Sequence, residues 1–427
     1  MTQWLTGLGE NPIYIAMMIY LAVFPVIVAA LAINSSRQFY LDRMRRETES
    51  DQPHLAELER ARAIWPLASV VIPARNEEET LGMTIECALR LQWPEIEVIV
   101  VNDGSTDKTV EVIESFAGDP RVRVITHEVA QGKSQSLNEG IEAARSEIVL
   151  ILDADSMPAR NSLNRMVSHM AMHDDIAAVT GNPRAVEVPT LLTKLQAIEF
   201  SSTISTLRRG QSAWGRINTF SGIMTMLRRN VVLDLGGFAL DQPTEDIELT
   251  YRLHRAGYRC IYEPAAQVGM HVPQTLRLWY RQRLRWGRGL VRVLQSHTVG
   301  VVKKNEWPIY PVLLEAWCAI IWCHVLVVMT ILWAVALAFG VAFLGNSLVI
   351  GRWGAMTVGV SILQILWGMH LDSHHDKSIT KLWPLAPIYP LFYWWLMAST
   401  VVMTAIPTLL SRRKTVLWAS PRLVNHP

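Results

Sequence analysis

The sequence predicts an α/β domain with a Rossmann-like parallel sheet, inserted between transmembrane helices. Three observations predict it. Short β-branched runs alternate with stretches of helical spacing between residues 69 and 152. Long uncharged apolar segments lie on both sides of that region. A basic amphipathic stretch joins the domain to the second apolar region. Hydrophobic residues make up 50% of the 427, unevenly: 66–270 has ordinary globular composition, whereas 12–33 and 311–410 are strongly apolar. A net charge of +2 excludes the basic surface that nucleic-acid binding needs.

The four runs are 69–73, 97–102, 122–125 and 147–152, and the helical stretches 77–91, 106–116 and 134–144 separate them. Such alternation gives parallel strands covered on both faces. Ligands of these sheets bind beyond the carboxyl ends of the strands. Polar residues fall there: Ala74-Arg75-Asn76-Glu77, then Asp103-Gly104-Ser105-Thr106-Asp107, then Asp153-Ala154-Asp155. One such carboxylate is often only a helix cap. Three polar strand ends on one crevice are harder to explain that way. Gly132-Lys133-Ser134 resembles the end of a P-loop, but His127 stands where the first glycine is required, so a P-loop NTPase is excluded. Cys87, Cys260, Cys318 and Cys323 are scattered without a C-x-x-C pair, so they suggest reduced, packed thiols.

Residues 11–33 carry no charge, long enough to cross roughly 30 Å of hydrocarbon. Glu10 precedes them; Arg37, Arg43, Arg45 and Arg46 follow, which places the central domain in the cytosol by the positive-inside rule. Further candidate spans are 311–339, 342–369 and 385–410. Lys303 and Lys304 also favour a cytosolic domain, as Arg412, Arg413 and Lys414 favour a cytosolic tail. One span before the domain and three after it place that tail outside, against its charges. Pro384, Pro387 and Pro390 offer a way out by breaking the last segment into a re-entrant element. The expected division is 1–36 helix, 37–65 basic linker, 66–270 catalytic domain, 271–304 interface helices, 305–411 transmembrane helices and 412–427 tail.

Three clusters carry chemistry. Asp153 and Asp155, one residue apart after an apolar strand, suit a hard divalent ion, Mg²⁺ or Mn²⁺, that shares its shell with substrate phosphates. Thr244-Glu245-Asp246 opens an amphipathic run and reads either as a helix cap or as a general base acting on a hydroxyl. In the third, Leu276, Tyr280, Leu284, Gly287, Val291 and Leu294 form one helical face beside a stripe of Arg277, Arg281, Arg285, Arg288 and Arg292. A helix lying in the membrane interface explains that stripe but not Gln282 and Trp286; a Trp face stacks on sugars and Arg grips diphosphates. His374-His375-Asp376 reads as a polar loop rather than a metal site.

With Asp103, Asp153/Asp155, Glu245/Asp246 and Gln282/Arg285/Trp286 in that order, the chain resembles the processive family-2 glycosyltransferases, which include cellulose, chitin and hyaluronan synthases. Residues 178–184, 199–202, Phe220-Ser221-Gly222, 244–246, 273–276 and 418–421 are similar to the poly-β-1,6-N-acetylglucosamine synthases in particular. The resemblance covers roughly 66–427 and implies a GT-A domain, a UDP-sugar donor such as UDP-N-acetylglucosamine, and a growing, exported polysaccharide. It implies that Asp103 touches the nucleotide with Ala74 and Glu77 nearby. Lys133, Asp153 and Arg285 lie at the diphosphate, and Asp153 with Asp155 at the metal. Glu245 and Asp246 are catalytic, with Asp246 as the base, and Ser221, Gly222, Gln282 and Trp286 hold the acceptor. The family often works with a small membrane partner subunit and cyclic di-GMP, in the bacterial inner membrane. Two departures stand out: one N-terminal span instead of two, and Gly287-Arg288-Gly289-Leu290 where relatives tend to have Ala-Gln-Gly-Gly. Competing readings are another processive synthase, transfer of one sugar to a lipid phosphate, and a non-catalytic scaffold that senses nucleotide sugars.

Overall fold

A computed structural model describes residues 12–48, 52–339 and 354–411. Two helices, α1 (Pro12–Thr48) and α2 (Gln52–Ile64), lead into the domain. There follow β1 (Leu67–Ala74), α3 (Leu81–Leu89), β2 (Glu95–Asp103), α4 (Thr109–Glu114), β3 (Val122–His127), α5 (Lys133–Ala143) and β4 (Ile148–Leu152). The second half holds β5 (Ser156–Pro158), α6 (Ser162–Met172), β6 (Ile176–Val186), α7 (Leu191–Glu199) and α8 (Ser205–Ala213). It continues with β7 (Met224–Arg228), α9 (Arg229–Asp234), α10 (Glu245–Arg255) and β8 (Arg259–His271). After it come α11 (Leu276–Lys303), α12 (Tyr310–Ala338), α13 (Gly354–Ser373) and α14 (Trp394–Leu410).

The eight strands form one sheet in the order β3-β2-β1-β4-β7-β6-β8-β5. Strands β1 to β4 are parallel, as their alternation with helices requires; β7 then joins β4 antiparallel and turns the sheet mixed. The period of two decides the layers. Val70 and Ile72 of β1 pack with Ile85, Leu163 and Met166 on one face. Val71 between them packs with Leu137, Ile141 and Leu249 on the other. Burying both faces is why these strands read as unbroken apolar runs.

Among the described residues three helices are long and apolar enough to cross a membrane: Pro12–Asn34, Trp307–Ala336 and Tyr389–Leu410. The expected span 342–369 begins outside the described residues, and α13 is described from Gly354. Helix α13 runs beside α1, with Thr357 donating to the Ala22 carbonyl and Trp367 to Ser36. The expected 385–410 segment is regular only from Trp394. Before it the chain forms a 3₁₀ segment (Lys377–Leu385) and a π turn (Tyr389–Tyr393), because Pro384, Pro387 and Pro390 lack the N–H groups of a regular helix. In the loop before them Asp376 accepts from the Ser378 amide, a capping role.

Candidate active site

The carboxyl ends of β1 and β2 are knitted together by their polar residues. Asn76 is in the left-handed region and accepts from the Thr106 amide, while its own amide donates to Ser105. The Glu77 amide donates to Thr109, and Asp107 accepts from the Thr109 amide as a cap. Ala74 is fully buried at the strand end. Asp103 is fully buried too, and its carboxylate accepts from the amides of Gln131 (2.7 Å) and Gly132 (2.9 Å). His127 lies 2.8 Å from the same carboxylate and 2.7 Å from Glu139 on its other ring nitrogen. Burial opposes a charge on His127, but the hydrogen bonds and charges of Asp103 and Glu139 outweigh it and raise its pKa. Asp103 therefore fixes the turn at Gly132, whose φ of 102° suits only glycine, and this turn starts α5 at Lys133.

Lys133 is the hub. Its Nζ lies 2.6 Å from Asp153, at the end of β4, and 3.1 Å from Glu245, at the start of α10. Burial works against its charge, but Asp153 and Glu245 outweigh it and hold the ammonium protonated. The Asp-x-Asp turn is braced on both sides: the Asp153 amide donates to the Ile223 carbonyl, and Thr84 donates to the Ala154 carbonyl. Asp155 follows on that turn, one residue before β5.

Helix α10 opens with Glu245 and Asp246, where the helix dipole favours anions. Asp246 accepts from the Ile247 amide (2.9 Å) and the Gly222 amide (3.3 Å). Burial and then the Glu245 charge push Asp246 up to about 6, against Lys133 and Arg285. Glu245 moves the other way: burial raises it, but Lys133 and Arg285 prevail and keep it ionised. Gly222 has no side chain for a reason. A Cβ there comes within 3.2 Å of Lys133 Nζ and 3.8 Å of Asp246. Ser221 beside it is buried, with its amide on Thr180.

Helix α11 brings Arg285 to this place, with Trp286 next to it and Gln282, half-buried, three residues before it. Arg285 reaches the Pro243 carbonyl (3.5 Å) just ahead of α10. Trp286 packs against the cluster of Phe200, Met270 and Val272, as Ile204 and Ile223 do. The buried face of α11 differs from the expected one: Leu276 is exposed, while Trp279 and Arg283 are buried. Arg283 pairs with Glu199 at 2.6 Å, and its guanidinium lies 4.2 Å from the Trp286 ring centre. Tyr393 donates to the same Glu199 and accepts from Trp279. Sequence reading missed this cage; its only signal was a Glu199 inside a family-like stretch. Of the departures at 287–290 the structure gives a reason for Gly287, while Gly289 matches the relatives' third residue and is equally confined. A Cβ on Gly289 would strike Thr244, and one on Gly287 would come within 2.6 Å of Thr404 on α14.

The structure thus joins Lys133, Asp153, Gly222, Glu245, Asp246, Arg285 and Trp286 at one place, with Asp103 behind them. Asp153 and Asp155 offer hard oxygen donors, and no cluster of three or more metal-ligating side chains occurs among the described residues. Two carboxylates fit a divalent ion that takes its remaining ligands from phosphate and water. The arrangement can accept a proton at a pH of about 6, beside the cations Lys133 and Arg285.

A mixed sheet with an Asp-x-Asp at the carboxyl edge of its parallel strands, beside an acid pair and a Trp-bearing helix and flanked by long apolar helices, defines a membrane glycosyltransferase of the GT-A type. Residues 69–236 match the family described as glycosyl transferase family 2. A mannosyltransferase from Pyrobaculum calidifontis, solved with GDP-Man and Mn²⁺, shares the fold with a TM-score of 0.59 at 20% identity, over 92% of this chain and 100% of that one. The poly-β-1,6-N-acetyl-D-glucosamine synthase of Staphylococcus epidermidis is 33% identical over 83% of this chain and 86% of its own length. That of Staphylococcus aureus strain COL is 31% identical over 94% and 97%. The chain belongs to the poly-β-1,6-N-acetyl-D-glucosamine synthase family of glycosyltransferases.

Proposed function

We propose that this enzyme polymerises N-acetylglucosamine from UDP-N-acetylglucosamine into a β-1,6-linked chain and passes it across the bacterial inner membrane. The observation that carries the reading is Asp246: a half-buried carboxylate with a pKa raised to about 6, beside Gly222, on a helix that packs against the Trp-bearing one. The names of the relatives support the sugar and the linkage. The reading divides the chain into a cytosolic catalytic unit at 66–270, interface helices at 271–304 and membrane helices on either side.

In this reading Asp246 takes the proton of the acceptor hydroxyl. The freed oxygen attacks the anomeric carbon of the donor from the face opposite UDP. The carbon–oxygen bond to UDP breaks, its electron pair leaves with the diphosphate, and the configuration inverts. Lys133 and Arg285 face the departing charge, and preorganised cations of this kind stabilise it without reorganisation. Asp153 and Asp155 would hold Mg²⁺ or Mn²⁺, which supplies further charge neutralisation at the diphosphate. Ala74 and Glu77 line the nucleotide end, with Asp103 holding the loop behind it. Ser221, Gly222, Gln282 and Trp286 receive the acceptor sugar. A small membrane subunit and cyclic di-GMP belong to the same proposal as accessory partners.

The test is protein reconstituted in membranes with Mg²⁺ or Mn²⁺ and a panel of UDP-sugars, scored for UDP release and polymer. Long polymer from UDP-N-acetylglucosamine alone, absent in Asp246→Asn, is expected. A single-sugar lipid product would replace the reading with lipid-phosphate transfer. No turnover with any donor, even with added membranes and cyclic di-GMP, would end it.

A further inference from the structure

Helix α8 and the residue before it carry three side chains on one face, Ile204, Arg208 and Gln211, at the spacing that stacks neighbours along a helix. The first, at the junction with the preceding π turn, packs in the cluster that contains Trp286 and Ile223, beside the acceptor position. The last reaches into the membrane region: Gln211 donates to Glu315 at 3.2 Å and accepts from the Asn218 amide at 2.9 Å. Glu315 lies within the candidate span Trp307–Ala336, where an ionisable residue marks function by default. Arg208 sits between these two ends.

Its two basic neighbours are engaged. Arg209 and Arg184 both pair with Asp372 of α13, at 2.6 Å and 2.7 Å. Arg208 makes no ion pair among the described residues: its guanidinium lies 6.0 Å from the Tyr262 ring centre, and its Nη1 is buried without a hydrogen-bond partner among them. Asp246 is near enough for its charge to act on Arg208. Arginine offers only donors, five in a planar fork. Fixed donors without acceptors, one helix turn past the acceptor site and one before the membrane, suit a ligand rich in carbonyl and hydroxyl lone pairs.

We infer that Arg208 holds the growing chain one or two sugars behind its reacting end, by donating to acetamido carbonyl and hydroxyl oxygens, and so governs product length. The inference rests on the polymerase reading above. Glu315 and Gln211 then receive the chain where it enters the membrane.

The experiment compares wild type, Arg208→Gln, Arg208→Lys and, as a distant charge control, Arg90→Gln, each reconstituted with UDP-N-acetylglucosamine. It reads initial UDP release, UDP binding and polymer length on gels. Arg208→Gln is expected to shorten the mean product several-fold, with a smaller fall in UDP release and unchanged UDP binding. Arg208→Lys should lie between it and wild type, and Arg90→Gln should match wild type. Wild-type length from Arg208→Gln overturns the inference, and so does a loss of UDP release as large as the loss of length. If Arg208→Gln does not fold, Arg208→Lys decides: shortened product supports the inference and wild-type length overturns it. Wild type that makes no polymer is the separate failure of the polymerase reading.

Discussion

Two charge clusters, one around Lys133 and one around Asp372, have opposite imbalances. At the catalytic end Asp153, Glu245 and Asp246 surround Lys133, with Arg285 as a second cation. At the membrane end Arg184 and Arg209 share the single carboxylate of Asp372, with Arg208 alongside. The first has too many carboxylates and the second too many guanidinium groups. Buried charge is costly unless matched. A surplus of one sign therefore points to what the protein lacks when alone: protons and cations at the first, lone pairs at the second. The difference also separates chemistry from architecture. Asp246 titrates near neutral pH because its surroundings oppose its charge, whereas Asp372 anchors α13 to the domain.

The comparison breaks most easily at Asp246. Asp246→Asn should lower transfer by roughly 10²–10⁴-fold, the range for general base catalysis, with UDP binding retained. Asp372→Ala should do the reverse. Removing one partner of a buried ion pair costs about 3–5 kcal/mol, so the melting temperature should fall by several degrees. Unchanged stability would mean that Asp372 is no anchor. Gly222→Ala places a methyl group against Lys133 and should slow transfer roughly tenfold, equivalent to ~1.4 kcal/mol in the barrier, by displacing the ammonium.

Two smaller effects depend on pH. Asp246 acts as a base only when ionised, so the transfer rate should fall as pH drops through about 6 and level off above it. Asp246→Glu should move that inflection, which a pH–rate profile reads. His127 has the opposite sense. A histidine with a raised folded pKa contributes its full stability below its ordinary value of about 6.5 and loses it as pH rises through the raised value. Hydrogen exchange at Gln131 and Gly132 should therefore quicken at alkaline pH beyond the intrinsic increase. His127→Gln should abolish that pH dependence.

Much of this was legible in the sequence, for a physical reason. The runs at 69–73, 97–102 and 147–152 are buried on both faces, so nothing polar interrupts them, and their ends announce themselves by the return of Asp103 and Asp153. The Glu245-Asp246 pair was visible as a helix start, and Gln282, Arg285 and Trp286 as residues that an interface stripe does not explain. Pairings across distance were not legible. Arg283 meets a glutamate 84 residues away, and Tyr393 meets the same one from 194 residues away. No local period encodes such a contact, so the hydrophobic face drawn on α11 omitted both Trp279 and Arg283. The glycines at 287 and 289 were equally opaque, since what they make room for, Thr404 and Thr244, lies elsewhere in the chain.

Those two glycines sit two residues apart on one continuous helix, α11, which touches the threonine ahead of the catalytic acids at one notch and α14 at the other. Glu245 and Asp246 are thus braced, through α11, against the candidate span that holds α14. Bulk at either notch would act as a shim, pushing α11 off Thr244 at one and off α14 at the other.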